Sequence, residues 1–153
     1  MSIDKPERSE FDSVDPAPAS LDIRIPELRA TICDENEKMF QRMRSLFALR
    51  NIGGKDSVEA LAAAFDSKSA LLKHEIAYVM GQMQDAHAVP FLISRLSDNE
   101  DDVMVRHEAA EALGAIGDRT ALSTLEKYVN DEEIVVAESC EVALDLLEWV
   151  ASK

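Results

Sequence analysis

Apolar positions are spread unevenly along the chain, and their grouping predicts helices. Residues 1–26 offer little to bury: the stretch 11–20 is polar and rich in proline, so the segment reads as a disordered or linker-like tail. Pro26 is then well placed as the first residue of a helix. From there on, apolar groups separated by turn signals predict an all-α domain over 27–153, a solenoid of about four helical hairpins. The predicted helices pair as 27–33 with 38–51, 57–65 with 70–83, 86–96 with 103–116, and 120–129 with 134–150. Gly53-Gly54 stops the first hairpin and Gly117-Asp118 makes the turn after the third. Asp131, Glu132 and Glu133 place negative charge at the start of the last helix, where the helix dipole favours it.

A repeat lies within this pattern. Lys73-His74-Glu75-Ile76-Ala77-Tyr78-Val79-Met80-Gly81 lines up with Arg106-His107-Glu108-Ala109-Ala110-Glu111-Ala112-Leu113-Gly114. A period of this length is one helical hairpin, so equivalent helices carry the same imidazole–carboxylate pair. In the flanking hairpins the corresponding slots are read as Met43 and Ala137, so the histidines are confined to the two inner repeats. Scaffolding alone does not require that restriction; a functional centre flanked by atypical terminal repeats does. Second helices of successive hairpins pack roughly 8–10 Å apart, which brings His74 and His107 within reach of one ion. A carboxylate from either pair completes a set of two histidines and one carboxylate, suited to iron, zinc or manganese. The spacing leaves open which carboxylate it is. Glu111 lies one turn after His107, but Tyr78 fills its slot in the other repeat, which argues against a shared ligand role. His87 lacks a paired carboxylate and reads as a surface residue near a helix start.

Composition narrows the classes. A formal net charge of −14 argues against nucleic-acid binding and suits a basic partner. No apolar run approaches the ~18 residues of a membrane span, and no secretory signal is visible. Cys33 and Cys140 lie far apart and read as reduced thiols of a cytoplasmic protein. There is no glycine-rich phosphate loop, no HExxH motif, and no serine set with a histidine and an acid in a recognisable motif.

The segments 69–84 and 104–117, which hold both His-Glu pairs, resemble the deoxyhypusine hydroxylase family, HEAT-repeat di-iron monooxygenases; 137–145 looks like the end of that family's C-terminal half. The resemblance covers about residues 38–149. It implies two similar halves of four hairpins, each with two His-Glu motifs, around a di-iron centre that activates dioxygen and hydroxylates the deoxyhypusine side chain of a translation factor to hypusine. By this resemblance His74, His107 and Glu108 bind one iron, while Glu75 faces the substrate, holds its amine groups and serves the reaction. The present chain has two His-Glu motifs where the family has four, and its Asp15-Pro16-Ala17-Pro18 stretch resembles the linker between halves. It therefore resembles the C-terminal half, whose second iron set would come from an N-terminal half or a second copy in a homodimer. The competing readings are a metal-free HEAT-repeat interaction module and a hydrolase with one zinc ion.

Overall fold

The structure is a computed structural model that describes residues 4–153; residues 1–3 of the expected tail lie outside them. Among the described residues the elements are eight α-helices and three short 3₁₀ turns: α1 Ile25–Cys33, α2 Met39–Ile52, α3 Gly54–Ala63, α4 Ala70–Met83, α5 Val89–Ser97, α6 Val103–Ile116, α7 Leu122–Tyr128 and α8 Ile134–Ala151. Two of the expected spans, α4 and α6, form with the expected ends. Elsewhere the differences are local. The starts expected at 86 and 120 are 3₁₀ turns, Ala86–Ala88 and Arg119–Ala121, because Asp85 and Asp118 accept hydrogen bonds from the backbone N–H groups of His87 and Thr120 and tighten the entry. α5 follows the first turn with Pro90 near its start, where a missing N–H costs nothing. Gly53 ends α2 and borders α3 directly; Gly53 and Gly54 have φ of +70° and +85°, which glycine alone adopts readily. No helix of the described residues is long and apolar enough to cross a membrane.

The chain divides into two compact units, up to Asp66 and from Ser67 to Lys153. In the first, α1 packs on α2 and α3 through Leu28, Ile32, Leu46, Leu49, Val58 and Leu61. Residues 4–24 carry no helix, yet part of the segment is tied to α2. The Ser20 N–H donates to the Arg44 carbonyl and Arg44 Nε donates to the Pro18 carbonyl, both at 3.0 Å. Asp15 receives the buried Arg50 guanidinium at 3.0 and 2.6 Å, and Phe11 and Phe47 lie 4.6 and 4.9 Å from it.

In the second unit α4, α6 and α8 lie in one row, with α5 packed on α6 and α7 on α8. Leu72, Ile76 and Met80 of α4, Leu92 and Leu96 of α5, Val105, Ala109 and Leu113 of α6, Leu125 of α7 and Val136, Cys140 and Leu147 of α8 are buried. Burial pushes the Cys140 thiol up to about 11, with Asp131 adding to the shift, so it stays an inert apolar side chain. Two glycines set the spacing of the row. A Cβ on Gly81 would meet Ala112 Cα at 3.2 Å, and one on Gly114 would meet Ala143 Cβ at 3.0 Å and Cα at 3.1 Å. Each glycine stands two turns after its histidine, on the packing side of the same helix.

A repeated cation also ties the layers. Arg106 donates from Nε to the Leu96 carbonyl at 3.0 Å, and its two Nη atoms grip Asp131 at 3.2 and 2.6 Å. Arg42 repeats the first contact in the other unit, donating to the Ile32 carbonyl at 2.9 Å, and Lys73 reaches Asp101 at 2.6 Å. Lys73 and Arg106, each the residue before a histidine, thus hold the loops that precede α6 and α8.

Buried positions of α8 (Val136, Ser139, Cys140, Ala143) match those of α6 (Val105, Glu108, Ala109, Ala112) with an offset of 31 residues. The α8 residue in the slot of His107 is therefore Glu138, not the Ala137 expected from sequence, and Ser139 stands in the slot of Glu108.

Truncating Arg106 leaves the Asp131 carboxylate, 8% exposed, without its cation. Arg106→Ala is expected to cost about 3–5 kcal/mol in urea denaturation at neutral pH. The hydrogen bond from Arg106 holds the Asp131 carboxyl below its usual range. This contribution is complete above the unfolded-state value of about 3.9 and is lost as pH falls through the lower folded-state value. Below about pH 4 the native protein should lose stability more steeply than Asp131→Asn. Gly114→Val should destabilise by about 1–3 kcal/mol, read as a lower urea midpoint, because the added methyls meet the α8 backbone.

Candidate metal centre

α4 and α6 present their His-Glu pairs on one face of the second unit. Ser69 caps α4 by accepting from the Leu72 N–H, and Asp102 caps α6 by accepting from the Met104 N–H, so both helices begin at defined points one turn before their histidines. With the Gly81 contact fixing their separation, His74 Nε2 stands 3.5 Å from Glu108 Oε2 and His107 Nε2 stands 3.4 Å from the same oxygen. His74 and His107 thus each place a ring nitrogen beside the same oxygen of Glu108. Glu75 lies beside them: its Oε1 is 3.7 Å from His74 Nδ1, on the other side of that ring. His87 is apart from this cluster, at a 3₁₀ turn with its ring edge-on to Phe91.

Glu108 is 7% exposed. Burial pushes its carboxyl above the ordinary value, against the pull of His74 and His107 and with the repulsion of Glu111 and Glu75 adding to it. A buried carboxylate beside two imidazole nitrogens is a costly arrangement unless a cation sits among them. Ligands at right angles about 2.1 Å from a metal stand roughly 3 Å apart, close to the 3.4 and 3.5 Å that separate each histidine nitrogen from the Glu108 oxygen. The donor set, two nitrogens and a carboxylate, fits iron, as it fits zinc or manganese.

A second grouping shares two members. His107, Glu108 and Glu111 each offer a donor atom within 4.8 Å of the others. Glu111 approaches His107 from the Nδ1 side, at 3.8 Å, and it is an exposed side chain. That nitrogen is already engaged: Ser139 Oγ of α8 lies 2.6 Å from His107 Nδ1. The other nitrogen of His107, Nε2, faces Glu108. Ser139 is the site residue that sequence reasoning missed. The structure does set a serine against a histidine with an acid beyond it, but the Ser139 hydroxyl is buried and donates to the Val135 carbonyl at 2.7 Å, which unsuits it as a nucleophile.

The open surface at the cluster mixes the exposed Glu111 with apolar side chains on the same two helices. Leu71, Tyr78 and Met104 are exposed. A recess of about 250 Å³ runs between Tyr78, Gly81 and Gln82 on one side and Glu108, Glu111, Ala112 and Ala115 on the other. It exists because glycine and alanine line the α4–α6 contact.

Comparison with known proteins agrees with this arrangement of helices. The model of HEAT repeats matches residues 58–145, and that of the PBS lyase HEAT-like repeat matches 41–67. Deoxyhypusine hydroxylase of Xenopus laevis is 49% identical over 146 residues, which is 95% of this chain and 48% of that protein. Deoxyhypusine hydroxylase-B of Oryza sativa is 48% identical over 94% of this chain and 48% of its own length. Among solved structures, human deoxyhypusine hydroxylase in complex with glycerol superposes with a TM-score of 0.91 at 46% identity, over 95% of this chain and 50% of that one. The complex of CpcE and CpcF of phycocyanin lyase from Nostoc, at 20% identity and a TM-score of 0.60, shares the fold alone. The chain spans about half the length of the curated relatives it matches. These matches bear out the resemblance carried by the two His-Glu segments, and the chain belongs to the HEAT-repeat family, where it is similar to deoxyhypusine hydroxylases over about half of their length.

Proposed function

We propose that this chain is one half of an iron-dependent monooxygenase that hydroxylates the deoxyhypusine side chain of a translation factor to hypusine. The observation that carries the reading is the convergence of His74 Nε2 and His107 Nε2 on one oxygen of the buried Glu108, in a chain 49% identical to a deoxyhypusine hydroxylase. His74, His107 and Glu108 would hold one iron; the second would be held by an equivalent set from an N-terminal half or from a second copy in a homodimer. The present chain corresponds best to the C-terminal half. When bound, the di-iron centre supplies the activation of dioxygen. One oxygen atom enters a C–H bond of the substrate, and the other leaves as water with two electrons and two protons from an external reductant.

The chain's own side chains serve that reaction in three ways. Glu75, on the far side of His74 from Glu108, accepts hydrogen bonds from the ammonium groups of the substrate side chain and sets its position. The recess beside Glu108 and Glu111 offers carboxylates at its wall and methyl groups at its floor, a fit for an alkyl chain ending in a cation. Leu71, Tyr78 and Met104 form an apolar rim that excludes water once the substrate or the other half covers it. The net charge of −14 draws a basic segment toward this face. Both cysteines are free, which suits a reducing compartment such as the cytoplasm.

Titration of the metal-free protein with Co(II), followed by its visible spectrum, separates the ligand sets. His74→Ala, His107→Ala and Glu108→Ala should each weaken binding by more than about tenfold, and Glu111→Ala by much less. Equal losses from Glu111→Ala, with none from His74→Ala, would assign the third ligand to Glu111. Hydroxylation is then read by mass spectrometry on a deoxyhypusine-bearing protein with iron, dioxygen and a reductant. Turnover by this chain with an N-terminal half, abolished by Glu75→Ala without loss of metal, is the expected result. No metal binding and no turnover in either arrangement would leave a metal-free interaction module.

A further inference from the structure

We propose that Ser139 is a positioning residue that fixes the His107 ring in the Nδ1–H tautomer and so keeps its Nε2 lone pair aimed at the Glu108 carboxylate. The inference rests on the metal-centre reading above for its consequence, and on the hydrogen bonds of α8 for its geometry. Ser139 is 6% exposed and its Oγ makes two short contacts, 2.7 Å to the Val135 carbonyl and 2.6 Å to His107 Nδ1. A hydroxyl has one proton. The carbonyl can only accept, so that proton goes to Val135, and the remaining contact is satisfied only if Nδ1 carries a hydrogen and donates it to Oγ. The neutral imidazole is then left with its lone pair on Nε2, 3.4 Å from Glu108 Oε2. Histidine ligands are commonly oriented by a partner on the other ring nitrogen, and the usual partners are a carboxylate, a backbone carbonyl or water.

The register of the helices explains why the partner here is a hydroxyl. His74 of α4 reaches across to Glu108 of α6; one helix further, His107 of α6 reaches across to the same slot of α8, which holds Ser139. A carboxylate in that slot would compete with Glu108 for the ring and add charge to a cluster that already holds Glu75, Glu108 and Glu111. Serine accepts the hydrogen bond without that charge. Glu111, the other acceptor on this side, stands 3.8 Å from Nδ1, beyond hydrogen-bonding distance. The last hairpin carries no histidine, yet in this reading it orients one.

The test uses the full chain with ¹⁵N-labelled histidine, metal-free, at a pH where the imidazoles are neutral. The expected spectrum assigns His107 to the Nδ1–H tautomer, and Ser139→Ala shifts it toward Nε2–H, the form favoured by free imidazole side chains. Ser139→Thr, which keeps the hydroxyl, should restore the Nδ1–H form and serves as the control for folding. In Co(II) titration Ser139→Ala should weaken binding by about 10–100-fold, with Ser139→Thr close to the native protein. An Nε2–H tautomer in the native protein, or a Ser139→Ala variant that keeps both tautomer and affinity, would overturn the proposal. A native protein that shows the Nδ1–H tautomer but binds no metal would instead sink the metal-centre reading and leave the positioning of His107 by Ser139 standing.

Discussion

Everything at the histidine face depends on how closely α4, α6 and α8 approach. Side chains of ordinary size would hold neighbouring helices about 10 Å apart at their contact. Gly81 and Gly114 remove the obstacle at the same place in two successive contacts, and Ala112 and Ala143 fill the space with single methyl groups. The histidine two turns earlier on each helix then reaches across to the next helix rather than out to solvent. A wider row would leave Glu108 with its own neighbour His107 but separate it from His74. Glycine weakens a helix by roughly 1 kcal/mol relative to alanine; here that loss accompanies contacts that an added Cβ would crowd to 3.2 Å at Gly81 and 3.0 Å at Gly114.

The electrostatics follow from the same packing. Among the buried side chains of the second unit, Arg106 is neutralised by Asp131 and roots the loop before α8. Glu108 is the contrasting case, a carboxylate buried between imidazoles rather than beside a permanent cation. Two acids of the second unit are thus handled in opposite ways: Asp131 is held low by a guanidinium, whereas Glu108 is pushed up by burial. The first arrangement is complete in itself. The second is a set of electron-pair donors that lacks a positive charge of its own, as a metal centre would.

Much of this was legible in the chain. The apolar grouping and the glycine stops gave α4 and α6 with their ends, because strong caps, Ser69 and Asp102, coincide with the start of the apolar pattern. The two in-register His-Glu pairs point to one face, and both histidines do lie beside Glu108, since a hairpin period maps equal sequence positions onto equal places in space. What escaped was the register of α8. α7 is two residues shorter than α5, seven against nine, so the offset from α6 to α8 is 31 residues rather than the 33 that separates α4 from α6, and the sequence pattern alone does not reveal which residue of α8 stands in the slot of His107. In the register that places Ala137 opposite His107, Ser139 does not face the ring. Its signal was present, a small polar residue in a buried slot where the preceding repeat has glutamate, but it shows only once burial fixes the alignment. The 3₁₀ entries at Asp85 and Asp118 escaped for another reason: side-chain capping decides the first turn, and apolar spacing carries no trace of it.

Arg50 gives the opening segment a weight that its composition conceals. Its guanidinium is fully buried, clasped by Asp15 and sandwiched by Phe11 and Phe47. A chain trimmed back to the first helix would take Asp15 and Phe11 away from that buried cation, so a designer seeking a minimal fragment should cut ahead of Phe11 rather than at Pro26. The proline-rich stretch behaves less like a tether than like a hasp, and its closure belongs to the folding of the first unit.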